Sequence, residues 1–242
     1  METNLTILAG GFLAGLTQGV SGFGAVVLMM VIFPYFETMK DSMAISSMCA
    51  MPMNFFTVFL YRTKIRFKKV LVPVTAYYVA TILFTRIAAR MNLEAFKPVF
   101  GAFLVFLSLY FMYFSKKIHV QESRWMAILC MFAAGMTMSF FGISGPVIVL
   151  YYVAVLTDKE EYVGTLGFIF LITNIFTGLV RLANGFYRWE LLMPIACGIV
   201  GVLSGFYVGS RLIRIIDGAT VKKLVYVILA ISGSITALKG IL

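Results

Sequence analysis

Two short glycine-containing stretches hold the residues with the clearest potential for chemistry. The first is Ser21-Gly22-Phe23-Gly24 and the second is Gly142-Ile-Ser-Gly-Pro146. Glycine breaks helices, whereas Pro146 suits the first turn of a new helix and Ser144 could cap it. Each stretch therefore predicts one helix that ends and another that begins. Because a helix N-terminus offers unpaired N–H groups and a positive dipole end, two converging N-termini predict a site for a small anion.

Polar side chains near these stretches could complete such a site. Asn54 and Asn174 each lie on one helical face with other polar residues, although an interhelical hydrogen bond is an equally good interpretation of both. Arg181 shares the face of Asn174; we expect it to snorkel to the membrane interface, with attraction of the anion as the alternative. The predicted substrate-binding residues are Gln18, Ser21, Gly22, Phe23, Gly24, Asn54, Thr137, Gly142, Ser144, Gly145, Pro146, Asn174 and Arg181.

Membrane helices are the elements that must position these residues. With 61% hydrophobic residues, 12% charged residues and a mean hydropathy of +0.97, the chain has more apolar surface than a soluble core could bury. Charged residues divide it into eight apolar segments: 3–36, 42–61, 70–85, 98–115, 125–157, 162–180, 191–210 and 224–238. We therefore predict an all-α, multi-pass protein in contact with lipid, located in the bacterial inner (plasma) membrane.

The two halves of the chain repeat each other. Segment lengths recur in the same order, and identical residues recur 120 positions apart, as in Gly22 with Gly142 and Asn54 with Asn174. This pattern predicts an internal duplication, with a membrane repeat at 1–116, a linker at 117–123 and a second repeat at 124–242. Segment 3–36 would form a helix of about 51 Å, against a hydrocarbon core of about 30 Å, so its glycine stretch falls where a break is needed.

The distribution of positive charge favours one topology. If all eight segments cross once, the 20 Lys and Arg residues divide 11 to 9 between the two sides, but re-entrant hairpins at 3–36 and 125–157 give 13 to 7. The prediction is therefore two inverted repeats, each a glycine-broken, re-entrant helix pair plus three transmembrane helices, with both termini outside. In such folds the substrate site lies near the membrane midplane, where the broken helices meet.

Several function classes find no support in the composition. The net charge of +10 resides in short loops with no basic face interleaved with aromatic residues, so anionic lipid rather than nucleic acid is the expected partner. All ten acidic residues lie outside the charge-free runs, and there is no phosphate-loop motif and no metal-ligand spacing. We expect neither an enzyme nor a cofactor. The membrane potential, worth about 2.3 kcal/mol per charge per 100 mV, would drive an anion outward.

Two alternatives come from the same glycines. Gly142-Ile-Ser-Gly145 resembles the GxSG motif of rhomboid intramembrane proteases, but the one histidine, His119, lies in the polar linker and not on a membrane helix. Gly11, Gly15 and Gly19 recur every four residues, as small residues do in close helix packing, and for these three glycines packing is the favoured interpretation. A scaffold in which every glycine serves packing leaves the two repeated breaks without a purpose.

Both glycine stretches resemble signatures of the TauE/SafE sulfite exporter family, also called the toluene-sulfonate uptake permeases. The first copy has the spacing Gly11-x3-Gly15-x3-Gly19-x2-Gly22-x-Gly24, and the second is followed by Tyr151 and Tyr152. The resemblance implies transport of sulfur-containing anions such as sulfite, sulfoacetate or other organosulfonates. It also implies that the substrate is bordered by Gln18, Gly22, Gly24, Ser144, Gly145 and Pro146.

The chain departs from the family pattern at three positions. Ala25 and Val26 stand where the glycine run often continues, and Ser139 stands where the first repeat has Gly19. These departures leave the fold expectation intact and keep the identity of the anion open. Transport of another small anion, such as a carboxylate, is therefore an alternative. A homodimer is also left open.

Overall fold

The computed structural model describes residues 2–21, 24–110, 112, 122–212, 227, 230–231 and 233–238, and all of its regular elements are helices. The α-helices are α1 (Glu2–Ser21), α2 (Ala25–Ile32), α3 (Met39–Leu60), α4 (Phe67–Arg90), α5 (Lys97–Leu109), α6 (Arg124–Phe141), α7 (Gly145–Val155), α8 (Lys159–Ala183) and α9 (Leu192–Leu212). Short 3₁₀ turns connect some of them at Phe33–Tyr35, Arg62–Lys64, Leu93–Phe96 and Trp189–Leu191. Residues 233–238 are also helical.

Five helices in the described part of the chain are long and apolar enough to cross a membrane. They are α3, α4, α6, α8 and the segment Trp189–Leu212 that contains α9. The predicted all-helical, multi-pass membrane protein is therefore confirmed. Four of these helices correspond to segments predicted to cross once, and α6 is an arm of a predicted hairpin. The predicted crossings at 98–115 and 224–238 lie partly outside the described residues.

The chain reverses its direction between α1 and α2. Gly24, just before α2, has a φ of +104°, a left-handed conformation that favours glycine. Further from the turn, a Cβ atom on Gly10 would lie 3.1 Å from the ring of Phe33 and 3.2 Å from Ile32. Since a residue near the middle of α1 contacts the residues at the end of α2, the short helix runs back along the second half of the long one.

The same reversal occurs between α6 and α7. Gly142 ends α6 with a φ of +71°, and its N–H donates to the carbonyl of Met138 at 3.1 Å. On the returning helix, the hydroxyl of Tyr151 donates to the carbonyl of Ser123, the residue before α6, at 3.1 Å. Helix α7 therefore returns toward the start of α6, as α2 returns toward the start of α1.

Helices α1 and α9 pack through glycines so closely that their backbones touch. The facing pairs, in order along the two helices, are Gly11 with Gly198, Gly15 with Val202, and Gly19 with Phe206. Because residue numbers rise together, the two helices run parallel. A Cβ atom on Gly11 would lie 2.9 Å from the carbonyl oxygen of Gly198, closer than real Cβ contacts. These glycines therefore serve packing, as the four-residue spacing indicated.

Helices α4 and α6 form the equivalent contact between the halves. They also run parallel: Gly135 faces the backbone of Tyr77, and further along the hydroxyls of Thr85 and Ser139 lie 3.0 Å apart. Adding 120 to the residue numbers of α1 and α4 gives α6 and α9. The first helix of each half thus packs on the fourth helix of the other half, so neither half has a core of its own.

Helices α3 and α8, which are equivalent under the same offset, run antiparallel at the centre of the molecule. Gly164 lies beside Tyr61, Gly167 beside Thr57, and Gly178 beside Met48, so residue numbers rise along one helix as they fall along the other. Both helices begin with matching caps. Thr38 Oγ1 accepts the N–H of Asp41 at 3.1 Å, and Asp158 Oδ1 accepts the N–H of Glu161 at 2.8 Å. The antiparallel pair and the two hairpins determine what surrounds the site.

Candidate functional site

A small cavity lies where the beginnings of α2 and α7 meet α3 and α8. Its volume is about 40 Å³. By the same measure a water molecule needs roughly 10–15 Å³, so the cavity has room for about three waters or one small anion. It is lined by Gln18, Gly24, Val26, Val27, Ala50, Met53, Asn54, Met138, Ser144, Gly145, Phe170 and Asn174. None of these side chains carries a charge.

The lining residues come largely in pairs that are 120 positions apart. These pairs are Gln18 with Met138, Gly24 with Ser144, Ala50 with Phe170, and Asn54 with Asn174. Equivalent positions of the two halves thus face one cavity from opposite sides. The cavity consequently lies between the halves, beside the antiparallel pair of α3 and α8.

Two asparagines present their side-chain amide groups to the cavity. Asn54 is 3% exposed and Asn174 is 6% exposed, both line the cavity, and no hydrogen bond of either side chain is seen among the residues that the structure describes. Leaving a buried polar group unpaired costs about 1–3 kcal/mol, so a bound water or ligand that accepts from these amides would recover that cost. The predicted interhelical hydrogen bonds of the two asparagines are not seen in this part of the chain.

Gln18 joins the end of α1 to the beginning of α2. Its Oε1 atom accepts the N–H of Ala25 at 3.0 Å, which satisfies one of the first donors of α2. The side chain is buried except for the surface it presents to the cavity. Since its oxygen is engaged, the NH₂ group is the part of Gln18 that remains to donate to a ligand.

Both short helices direct their N-termini at the cavity. Gly24 occupies the N-cap of α2 and Ser144 the N-cap of α7, and neither provides a side-chain cap. Ser144 thus occupies the predicted N-cap position, but it lacks the side-chain hydrogen bond of a cap and lines the cavity. Pro146 lies in the first turn of α7, where a missing N–H costs nothing. The positive ends of two helix dipoles thus face a space without charged side chains.

Three predicted residues lie beside the cavity without lining it. Thr137 donates from Oγ1 to the carbonyl of Ala134 at 3.1 Å. Gly142 faces Met30 and Met43, and Pro146 is buried within α7. Gly22 and Phe23 lie outside the described residues, and Ser21 is described only as the last residue of α1.

Arg181 does not snorkel, so that expectation is wrong. Its side chain is fully buried, with NH1 donating to the carbonyl of Met43 at 2.7 Å and to Ser47 Oγ at 3.1 Å. NH2 donates to the carbonyl of Met138 at 2.8 Å, whereas Nε has no partner. Because Arg181 follows the end of an apolar segment, the sequence suggested that its side chain would reach the membrane interface. Instead, backbone carbonyls from α3 and α6 enclose the guanidinium.

The buried guanidinium lies directly behind one wall of the cavity. Met138, whose carbonyl it binds, is a lining residue, and Asn174 lies seven residues earlier on the same helix. Seven residues correspond to about 10 Å along a helix. No carboxylate forms an ion pair with Arg181 in the ranges that the structure describes. Carbonyl and hydroxyl oxygens, rather than a carboxylate, therefore accept the hydrogen bonds of this guanidinium among the described residues.

The apolar lining residues were not predicted from the sequence. Val26, Val27, Met53, Met138 and Phe170 form most of the wall, and apolar side chains in a membrane protein carry no distinguishing signal. The duplication offered a signal for two of them, because Met138 and Phe170 are the positions 120 residues after Gln18 and Ala50. Applying the offset to every polar-face position would have identified both.

Comparison with known proteins gives one match. A family model described as "Sulfite exporter TauE/SafE" matches residues 7–235, nearly the whole chain. No curated protein and no solved structure matches the chain.

Proposed function

Because this chain belongs to the sulfite exporter TauE/SafE family, whose members are membrane transporters of sulfur-containing anions, we propose that it exports sulfite or a small organosulfonate through the cavity between α2, α3, α7 and α8. The observation that carries this proposal is the pair of buried amides of Asn54 and Asn174, which face the cavity beside two helix N-termini. Amide and backbone N–H groups are the donors that an oxyanion needs.

The donors suit an anion that must leave as readily as it enters. No basic or acidic side chain is among the lining residues, so the substrate's direct contacts would be hydrogen bonds and helix dipoles rather than an ion pair. Hydrogen bonds to a charged group contribute about 1.5–3 kcal/mol each, less than a buried ion pair costs to break. A transporter needs this balance, because tight binding would slow release.

We further propose that the two halves are inverted repeats with re-entrant hairpins. A hairpin that returns to its side adds no net crossing, so three crossings per half would make α3 and α8 antiparallel. Single crossings of all eight segments would make them parallel. The antiparallel contacts of Gly164 with Tyr61 and of Gly178 with Met48 support the first arrangement. In that arrangement both termini would lie outside the inner membrane, because that side is the poorer in Lys and Arg.

Arg181 supplies the positive charge of the proposed site from behind the wall. If the helical rise of about 10 Å between Asn174 and Arg181 is taken as the separation, with an effective dielectric constant near 20, Arg181 would attract a single negative charge by about 1.7 kcal/mol. Arg181→Gln should therefore weaken the apparent affinity for hydrogensulfite about 15-fold, and that for the sulfite dianion considerably more. The measurement is the concentration dependence of uptake by proteoliposomes at two pH values.

The pH comparison separates this charge effect from simple loss of packing. If Arg181 acts by charge, the difference between wild type and Arg181→Gln grows as rising pH converts hydrogensulfite to sulfite, and Arg181→Lys recovers part of the loss. An equal reduction at both pH values, with no recovery by lysine, would mean that Arg181 serves only to hold α3, α6 and α8 together.

The proposed function is tested by flux of labelled sulfite from proteoliposomes with an imposed potential, with a sulfonate and a dicarboxylate as competitors. We expect saturable, potential-driven sulfite flux that the small sulfonate inhibits and the dicarboxylate does not. Robust dicarboxylate flux without sulfite flux would contradict the proposal and favour carboxylate transport, the alternative in which the same hydrogen-bond donors of the cavity bind a carboxylate.

A further inference from the structure

One pair of equivalent cavity residues differs greatly in size. Ala50 and Phe170 are 120 positions apart and both line the cavity, but one side chain is a methyl group and the other an aromatic ring. We infer that Phe170 sets the upper size limit of the transported anion. This inference rests on the proposed function, since it concerns the specificity of the same site.

The ring of Phe170 covers the beginning of α7. Its Cζ atom lies 3.8 Å from where a Cβ atom of Gly145 would be, and Cε1 lies 4.0 Å from it. Gly145 lines the cavity and is the first residue of α7. The ring therefore occupies the space next to one of the two helix N-termini, where an anion's substituent would extend.

The size of the cavity fits an anion without a bulky substituent. About 40 Å³ holds roughly three waters, which suits three oxygens around one sulfur atom but not an additional aromatic group. Backbone forms the cavity boundary at Gly24 and Gly145, and Ala50 has only a methyl group to lose. Among the lining side chains that the structure describes, Phe170 has the one aromatic ring, so shortening it releases the most space.

Phe170 also packs against the apolar cluster formed by α4, α6, α7 and α8, so its truncation affects stability as well. Phe170→Leu keeps much of this packing, whereas Phe170→Ala removes it. Phe168 provides a matched control on the same helix, because its ring packs edge-on against Phe67, with centroids 4.9 Å apart, and does not line the cavity.

The experiment compares flux of sulfite, methanesulfonate and benzenesulfonate in wild type, Phe170→Leu, Phe170→Ala and Phe168→Leu. We expect the benzenesulfonate-to-sulfite ratio of kcat/KM to rise more than about tenfold in at least the alanine variant, which corresponds to about 1.4 kcal/mol. Phe168→Leu should keep the wild-type ratio. A ratio of two substrates in one preparation does not depend on how much of the protein is folded.

The outcomes distinguish this inference from the function on which it rests. Sulfite flux in wild type together with an unchanged ratio in both Phe170 variants would overturn the size limit alone. A raised ratio in Phe168→Leu equal to that of the Phe170 variants would also overturn it, because the effect would then be general loosening of α8. Absence of sulfite flux in wild type would overturn the proposed function itself.

Discussion

The double variant Asn54→Leu/Asn174→Leu is expected to lose about 100-fold or more in sulfite transport efficiency. Both amides face the cavity as hydrogen-bond donors, and a hydrogen bond to a charged ligand contributes about 1.5–3 kcal/mol. Leucine keeps the branching of asparagine at Cγ but offers no donor. Because leucine is also the larger residue, the smaller variant Asn54→Ala/Asn174→Ala, which leaves more space in the cavity, must lose transport as well. The measurement is kcat/KM for sulfite in proteoliposomes, for the double variant and for each single variant. Because the two positions are equivalent, each single change should give an intermediate loss.

Thermal stability serves as the control for this double variant. Removing two unpaired amides from a buried site should leave the unfolding temperature of the purified protein unchanged or raised, since an unsatisfied buried polar group is destabilising. Loss of transport in a protein of undiminished stability would assign the asparagines to function. Wild-type transport by the double variant would place the anion elsewhere in the molecule.

Gly15→Ala is expected to reduce the stability of the whole protein by about 3 kcal/mol, the upper range for overpacking. A Cβ atom at this position would overlap the backbone carbonyl of Val202, and neither α1 nor α9 can move away without breaking the contacts of Gly11 and Gly19. Backbone atoms cannot rotate aside as a side chain would. The measurement is the unfolding temperature in detergent, together with the yield of folded protein.

Gly145→Ala is the matched control for Gly15→Ala. The nearest atom to its added Cβ is Phe170 Cζ at 3.8 Å, an ordinary van der Waals distance, and the residue lies in the first turn of a helix. Its stability should therefore stay within about 0.5 kcal/mol of wild type. Equal stability of the two variants would show that α1 and α9 do not pack in the way described.

Much of the fold could be predicted because membrane-spanning helices are recognisable from their long runs of apolar residues. Long apolar segments separated by charges identify α3, α4, α8 and α9 directly. Gly24 and Gly142 stand at helix ends with positive φ, a property that only glycine adopts at little cost. The inverted arrangement and the domain boundaries stay predictions, although the antiparallel course of α3 and α8 is what an inverted arrangement requires.

The candidate site could be predicted in part, for a similar reason. Gln18, Asn54, Ser144 and Asn174 are polar residues in apolar surroundings, so each is conspicuous in the sequence, and all four line the cavity. Spacing alone could not separate them from Thr137, which hydrogen bonds within its own helix. Which polar residue faces a cavity depends on how each helix is oriented about its own axis relative to its neighbours. The spacing of residues within one helix does not determine that orientation.

The environment of Arg181 could not be predicted from its own segment. Its hydrogen-bond partners come from α3 and α6, more than 40 residues away along the chain. An arginine near the end of an apolar helix usually reaches the interface, but here three acceptors enclose it. Such an environment depends on tertiary packing between the two halves.

The central claim is that one small oxyanion binds between the two halves, and selenite tests it most directly. Selenite is the heavier analogue of sulfite, and its selenium scatters anomalously at a wavelength at which the native sulfur atoms contribute little. In a crystal of the protein soaked with selenite, we predict one anomalous peak in the cavity, within hydrogen-bond distance of the amides of Asn54 and Asn174. A peak at another position in the protein, with the cavity empty, would contradict the account.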